Sequence, residues 1–234
     1  MALLQVSLGL LGRILGFRRP APPAIDIEAQ RRKMLLWQRD FDGVVTGLAD
    51  DLTGGRLTVD GWEQAMRSEI RRYHAGAATI AAGGPRNVDS DDFAIALSRA
   101  SQQEIYLGRW ANELRGQEID GAQARRIAAR ARLYGGAGNA TFEEVAMGAL
   151  TDERITLPFY PTDRTQCMSN CTCRWSEPEV SGNRVSFYWI LRPESVHCET
   201  CPERARVFSK GKPLVFVGGV MQDPERLDNP GLYA

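Results

Sequence analysis

All five cysteines of the chain fall between Cys167 and Cys201, together with one of its two histidines. The order is Cys167-Met-Ser-Asn-Cys171-Thr-Cys173-Arg-Trp175, then, after a gap, His197-Cys198-Glu-Thr-Cys201-Pro202. Thiols clustered in this way either hold a metal or form disulfides. Cys198 and Cys201 form a C-x2-C pair, a spacing that lets two thiolates reach one tetrahedral Zn²⁺. Glu203 and the run Arg204-Ala-Arg-Val-Phe208 read as the first turns of a short helix. The pair would then stand at a helix N-terminus, where the dipole and backbone N–H groups favour thiolates.

Five cysteines exceed one four-ligand site. The expected ligands are Cys167, Cys171, Cys198 and Cys201. Cys173 lies two residues beyond Cys171, on the same strand face, and is its nearest substitute. His197 adjoins Cys198 and is expected outside the ligand set, beside the site or on the surface. A thiolate-rich set argues for one structural zinc, because a catalytic zinc keeps an open position and usually has His or carboxylate ligands. Such binding contributes on the order of 10 kcal/mol in small zinc peptides. Disulfides are the competing chemistry, and a reactive thiol is the third.

The elements that position these donors are short. Arg174-Trp175 and Val185-Ser-Phe-Tyr-Trp-Ile-Leu191 read as strands flanking a turn at Ser181-Gly182-Asn183. Knuckle, hairpin and helix in that order are the layout of a treble-clef-like zinc module, expected over 151–221. Pro213-Leu-Val-Phe-Val-Gly-Gly219 reads as one more strand, and 222–234 as an irregular tail.

Residues 25–150 read as an α-helical domain, making the whole an α+β chain. A long helix from Ile25 to about Leu52 carries Ile27, Met34, Leu35, Trp37, Phe41, Val44, Val45 and Leu48 at three- and four-residue spacing. Gly54-Gly55 ends it. Thr58 caps a second helix with Trp62, Met66 and Ile70 on its apolar face. This helix runs through His74, which reads as a structural histidine, and stops at Gly83-Gly84. Asp89-Ser-Asp-Asp92 opens a third, as an acid-rich helix start rather than a metal cluster. Phe93, Leu97, Ala100, Tyr106, Leu107, Trp110 and Leu114 are its expected buried stripe. A fourth starts near Asp120, carries Arg125, Arg126, Arg130 and Arg132 on a solvated face, and closes at Gly135-Gly136. Thr141-Phe-Glu-Glu144 reads as a capping box opening a short fifth helix that ends near Leu150.

Residues 1–24 divide into an apolar start, Leu3 to Phe17, and the linker Arg18-Arg19-Pro20-Ala-Pro22-Pro23, where proline stops a helix. The start has no charged leading region and no A-x-A cleavage site, which argues against a signal peptide. It reads as a short amphipathic helix that docks on a partner or on the body of the protein; a membrane role is not expected. Twenty-nine basic residues balance 29 acidic ones, evenly along the chain. That argues against bulk nucleic-acid binding through a basic surface. No Gly-rich phosphate loop, H-E-x-x-H or G-x-S-x-G occurs, so neither a catalytic residue nor a small-molecule substrate is expected.

Trp62-Glu-Gln-Ala-Met66, His74, the Ala-rich turn ending Gly83-Gly84, Tyr106-Leu107 with Trp110, and the Arg-rich helix ending Tyr134 come in a telling order. After them come Leu157-Pro-Phe-Tyr160-Pro-Thr-Asp163, Asn170-Cys171-Thr-Cys173-Arg-Trp175, Trp189 and His197-Cys198-x-x-Cys201. From about residue 25 to 210 the chain resembles the minor head, or head-morphogenesis, proteins of tailed bacteriophages and prophages (Mu F-like). The most specific part is Asn170-Cys171-x-Cys173 with the C-x2-C. The resemblance implies a non-enzymatic virion protein, present in few copies, acting near the portal in capsid assembly or DNA packaging. Its partners would be portal and capsid or scaffold proteins, with DNA during packaging. Its place would be the virion, and the host cytoplasm during assembly. The cysteine module would hold a structural zinc. The rival reading is a zinc-finger nucleic-acid-binding protein, presenting a basic face from Arg164, Arg174, Arg184, Arg192, Arg204, Arg206, Lys210 and Lys212.

Overall fold

A computed structural model describes residues 25–117, 119, 121–151, 155–160, 173–193 and 197–232. Within them lie four long helices, two small antiparallel sheets and a fifth, short helix. The α+β class expected from the sequence is therefore observed. The expected amphipathic start and two of the expected ligands, Cys167 and Cys171, fall outside the described residues.

Helix α1 spans Ile27–Thr53, with the Asp26 side chain accepting from the Ala29 N–H as its N-cap. Helix α2 spans Val59–Ala81 and is capped in the same way by Thr58, which accepts from Gly61. Helix α3 spans Ser90–Leu114. Asp89 and Asp92 form a reciprocal capping box at its start, which explains the acidic run without a metal. The stripe expected for α3 is half right. Ala100, Leu107, Trp110 and Leu114 are buried, whereas Phe93, Leu97 and Tyr106 are exposed. Leu35 and Val44 of α1 are exposed as well. Helical periodicity gives a stripe's width but not which of its edges a neighbour covers.

The fourth and fifth expected helices are one, α4, spanning Gly121–Ala149. Gly135-Gly136 does not end it. A Cβ at Gly135 would stand 3.0 Å from Asp42 Oδ1, and one at Gly138 would overlap the Tyr73 ring. The Tyr73 hydroxyl donates to the Gly135 carbonyl at 2.8 Å. These glycines let α4 approach α1 and α2 closely. The supposed capping box is also something else: Thr141 Oγ1 lies 2.7 Å from His74 Nδ1, and Glu144 pairs with Arg99 at 2.8 Å.

Helices α1–α4 enclose one buried cluster, centred on Phe41, Trp62, Met66, Tyr73 and Trp110. A second cluster lies beyond the C-terminal half of α4, whose Ala140 and Met147 join Phe159, Trp175, Trp189, Phe208 and Leu214. Strand β1 (Arg174–Trp175) pairs with β4 (Trp189–Ile190). Strand β2 (Glu179–Ser181) pairs with β3 (Arg184–Phe187) across a turn in which Gly182 has φ of 63°. The strand expected over 185–191 is thus broken at Tyr188. The Ser176 side chain accepts from the Tyr188 N–H there, and the Trp189 N–H turns to the Phe208 carbonyl. Strand β5 (Leu214–Val217) joins β3, and β6 (Val220–Met221) joins β5. Helix α5 spans Thr200–Val207.

The tail expected to be irregular over 222–234 carries regular turns within its described residues. They form 3₁₀ turns at Pro224–Asp228 and Pro230–Leu232, and Leu232 is fully buried. Arg226 donates to the carbonyls of Val207, Lys212 and Pro213. None of the described helices is long and apolar enough to cross a membrane.

Candidate metal centre

The Cys198–Cys201 pair stands at the start of α5, as the spacing predicts. Its sulfurs are 3.8 Å apart. A disulfide would bring them to about 2 Å. Two thiolates on one tetrahedral zinc, each at about 2.3 Å from it, stand roughly 3.8 Å apart. Cys201 is buried and Cys198 half-buried. Glu199 occupies the N-cap and makes no side-chain capping bond.

Cys173 is the third cysteine among the described residues. It is buried, immediately precedes β1, and belongs to the same cluster as Cys201, with Cys198 packed against it. Its Sγ lies 3.3 Å from His197 Nδ1. The sequence places His197 outside the ligand set but gives no hint of this contact, because it joins residues on two separate segments. Among the described residues, no three His, Cys, Asp or Glu side chains are gathered closely enough to hold an ion.

An aromatic floor lies beneath these cysteines. The rings of Trp175 and Trp189 meet edge to face at 5.2 Å, and Phe159 stacks on Trp175 at 5.1 Å. The Trp175 indole donates to the Phe159 carbonyl at 2.7 Å. Arg204, three residues after Cys201, is fully buried in this floor. Its guanidinium sits 3.9 Å from the Phe159 ring centre, and its Nε donates to the Leu232 carbonyl at 3.0 Å.

Charged pairs tie the cysteine-bearing segment to the helices. Arg31 makes a two-pronged, buried pair with Glu143, at 3.2 and 3.1 Å. It also binds Glu28 at 2.8 Å, and Glu28 binds Arg174 of β1 at 3.2 Å. Burial pushes the Glu28 carboxyl up, but Arg31 and Arg174 more than offset this and hold it below the usual range.

The other histidine, His74, is buried. Its Nε2 has no hydrogen-bond partner among the described residues. Burial, with the charge of Arg99 adding to it, pushes its pKa down to about 4. A cavity of about 30 Å³ lined by Asp92, Ile95, Glu144, Val145, Ile155 and Tyr160 has room for water rather than for a substrate.

Compared with family models, with curated proteins and with solved structures, the chain matches none.

Among the described residues, Cys198 and Cys201 alone fit two of the four positions of a zinc ion, on two grounds. The donor set is sulfur-rich, and the Cys198–Cys201 separation equals the edge of a zinc tetrahedron. Cys198 and Cys201 would hold the ion, with the remaining positions drawn from Cys167, Cys171 and Cys173.

Proposed function

We propose that this chain is a structural protein of a tailed phage or prophage, a minor head protein acting near the portal in head morphogenesis or DNA packaging, with one structural zinc in its C-terminal module. The supporting observation is the 3.8 Å thiol pair at the start of α5, standing where the resemblance places its C-x2-C. Bound there, zinc would supply cross-linking rather than catalysis. It would tie the cysteines that precede β1 in the chain to the start of α5. The role is an assembly role, with portal and capsid or scaffold proteins as partners.

The nucleic-acid reading is less well supported. Several basic residues of the expected face are already engaged. Arg174 pairs with Glu28, Arg206 with Glu203 at 2.5 Å, and Arg204 is buried under Phe159 and Trp189. A DNA-binding face keeps such charges available for phosphates.

Mass spectrometry of procapsids and mature heads from the phage or prophage that encodes the chain tests the proposal. The expected result is a few copies per particle, retained with the portal. A chain lacking residues 1–19 is expected to be lost from that fraction while still folding. Absence of the full chain from both particles would overturn the assembly role.

A further inference from the structure

Helix α3 is apolar on two sides. One side buries Ala100, Leu107, Trp110 and Leu114 in the bundle. The other carries Phe93, Leu97 and Ile105, which are 53, 61 and 58 % exposed. Among the described residues of α3, none of those exposed between Asp91 and Arg109 is charged. The charged residues that do lie in this stretch are engaged within the fold. Asp92 belongs to the capping box, Arg99 pairs with Glu144 at 2.8 Å, and Glu104 pairs with Arg67 at 3.2 Å and with Arg71. The exposed leucines of the neighbouring helices stand in a different setting. Leu35 and Leu36 of α1 lie among Arg32, Lys33, Arg39 and Asp40, and Leu133 of α4 lies beside Arg132. Those are solvated faces that include an apolar side chain. The outer face of α3 instead has the composition of a covered face.

The pattern of this face matches itself. At 100° per residue, Leu97, Ser101 and Ile105 follow one stripe, in which the small Ser101 separates two large side chains. Turned end for end about Ser101, the stripe sets Leu97 against Ile105 of a second copy and Ile105 against its Leu97. Large side chains then fall into the space left by small ones. Asp91 and Arg109 are 18 residues apart, which is five whole turns, so both lie on the same edge of the stripe. Equal edges meet when two helices pack antiparallel. Asp91 of each copy then stands beside Arg109 of the other, and an ion pair closes each end of the contact. The helix dipoles oppose one another in the same arrangement. A parallel pairing would hold Asp91 and Arg109 five turns apart and form neither pair.

We propose that the outer face of α3, centred on Ser101, is a dimerisation surface on which a second copy of this chain packs its own α3 antiparallel. The contact is isologous and closes on itself. Its seam, from Asp91 to Arg109, is about 27 Å long. One helix face per copy lies at the small end of protein interfaces, so a dissociation constant on the order of 10 μM is expected. The surface is independent of the zinc site and of the assembly role.

Sedimentation equilibrium of the full chain, from about 1 to about 300 μM, tests it. The expected result is a monomer–dimer equilibrium. Leu97→Glu is expected to weaken it at least about 100-fold with the helical circular dichroism unchanged, because this side chain is exposed in the single chain. Asp91→Arg and Arg109→Asp should each weaken it about 10-fold, and the two reversals combined should restore it. A chain that is monomeric at every concentration overturns the proposal. So does a dimer that Leu97→Glu leaves intact, or association that grows past the dimer. Single reversals that leave the dimer unchanged, or that the double reversal does not rescue, overturn the antiparallel pairing. A full chain that stays monomeric but dimerises once residues 1–19 are removed gives the face to that segment and overturns its use between full-length copies.

Discussion

His74 gains nothing from being charged in the folded protein. Its ring is buried against Thr141, and burial together with Arg99 lowers its pKa to about 4. The unfolded chain therefore binds a proton at a higher pH than the folded chain does. The stability this contributes is complete above about pH 6.5, the ordinary value for histidine, and is lost as pH falls toward 4. The loss is on the order of 3 kcal/mol over that window. Urea unfolding at pH 7 and pH 4.5 measures it, and His74→Gln is expected to remove most of the difference. Arg204 is a second residue whose burial is costly unless its partners stay in place. Arg204→Ala would remove the stack on Phe159 and leave the Leu232 carbonyl without its donor. We expect a loss of about 2–4 kcal/mol, read as a lower midpoint for the tryptophan signal of Trp175 and Trp189. Arg204→Lys should not restore it, because an ammonium cannot lie flat on the ring as a guanidinium does. The Cys198–Cys201 contact was legible at this scale, since C-x2-C spacing is itself geometry. The His197–Cys173 contact was not, because only folding brings their segments together.

At the scale of elements, glycine is the residue whose meaning the sequence leaves open. Gly54-Gly55 and Gly83-Gly84 end helices, and Gly55 and Gly83 have positive φ. Gly135-Gly136 has the same appearance in the sequence but lies inside α4, where Gly135 makes room for α1 and Gly138 for Tyr73. The difference depends on Tyr73 and Asp42, far away in the chain. Gly138→Ala is expected to push α4 off α2 and destabilise the bundle by about 1–3 kcal/mol. Gly47→Ala is the control: nothing stands within 4 Å of its added Cβ, and it lies inside α1. It should stabilise by about 0.5–1 kcal/mol. Thermal melts of the two variants should move in opposite directions. The starts of α2 and α3 were legible because caps are local, with Thr58 and Asp89 each bonding within a turn. The break at Tyr188 was not, since strand propensity runs straight through it. It is made instead by bonds to Ser176 and Phe208.

Across the whole molecule, two buried clusters share α4, whose C-terminal half supplies Ala140 and Met147 to the second. The Glu143–Arg31–Glu28–Arg174 chain of charges adds a polar tie between the bundle and β1. If zinc orders the second cluster, its removal should act there first. Chelation is expected to change the fluorescence of Trp175 and Trp189 and expose cysteines to a thiol reagent. The helical circular dichroism, which comes mostly from α1–α4, should stay nearly constant. A simultaneous collapse of both signals would mean that the module and the bundle fold as one unit. The α+β class was legible from the change in texture after Thr151, where Pro, Cys, Trp and β-branched residues replace Ala and Arg. The packing of residues 224–232 under α5 was not, because their anchors are carbonyl bonds from Arg226 and the burial of one leucine.

The central claim is that the cysteines hold one structural zinc, and elemental analysis tests it most directly. The full chain is purified without a metal-binding tag, beside Cys198→Ser, and both are assayed for zinc and for oxidised cysteine. The account predicts about one zinc per chain, lost in Cys198→Ser, with the cysteines reduced. A chain without metal whose cysteines are oxidised in pairs would contradict it.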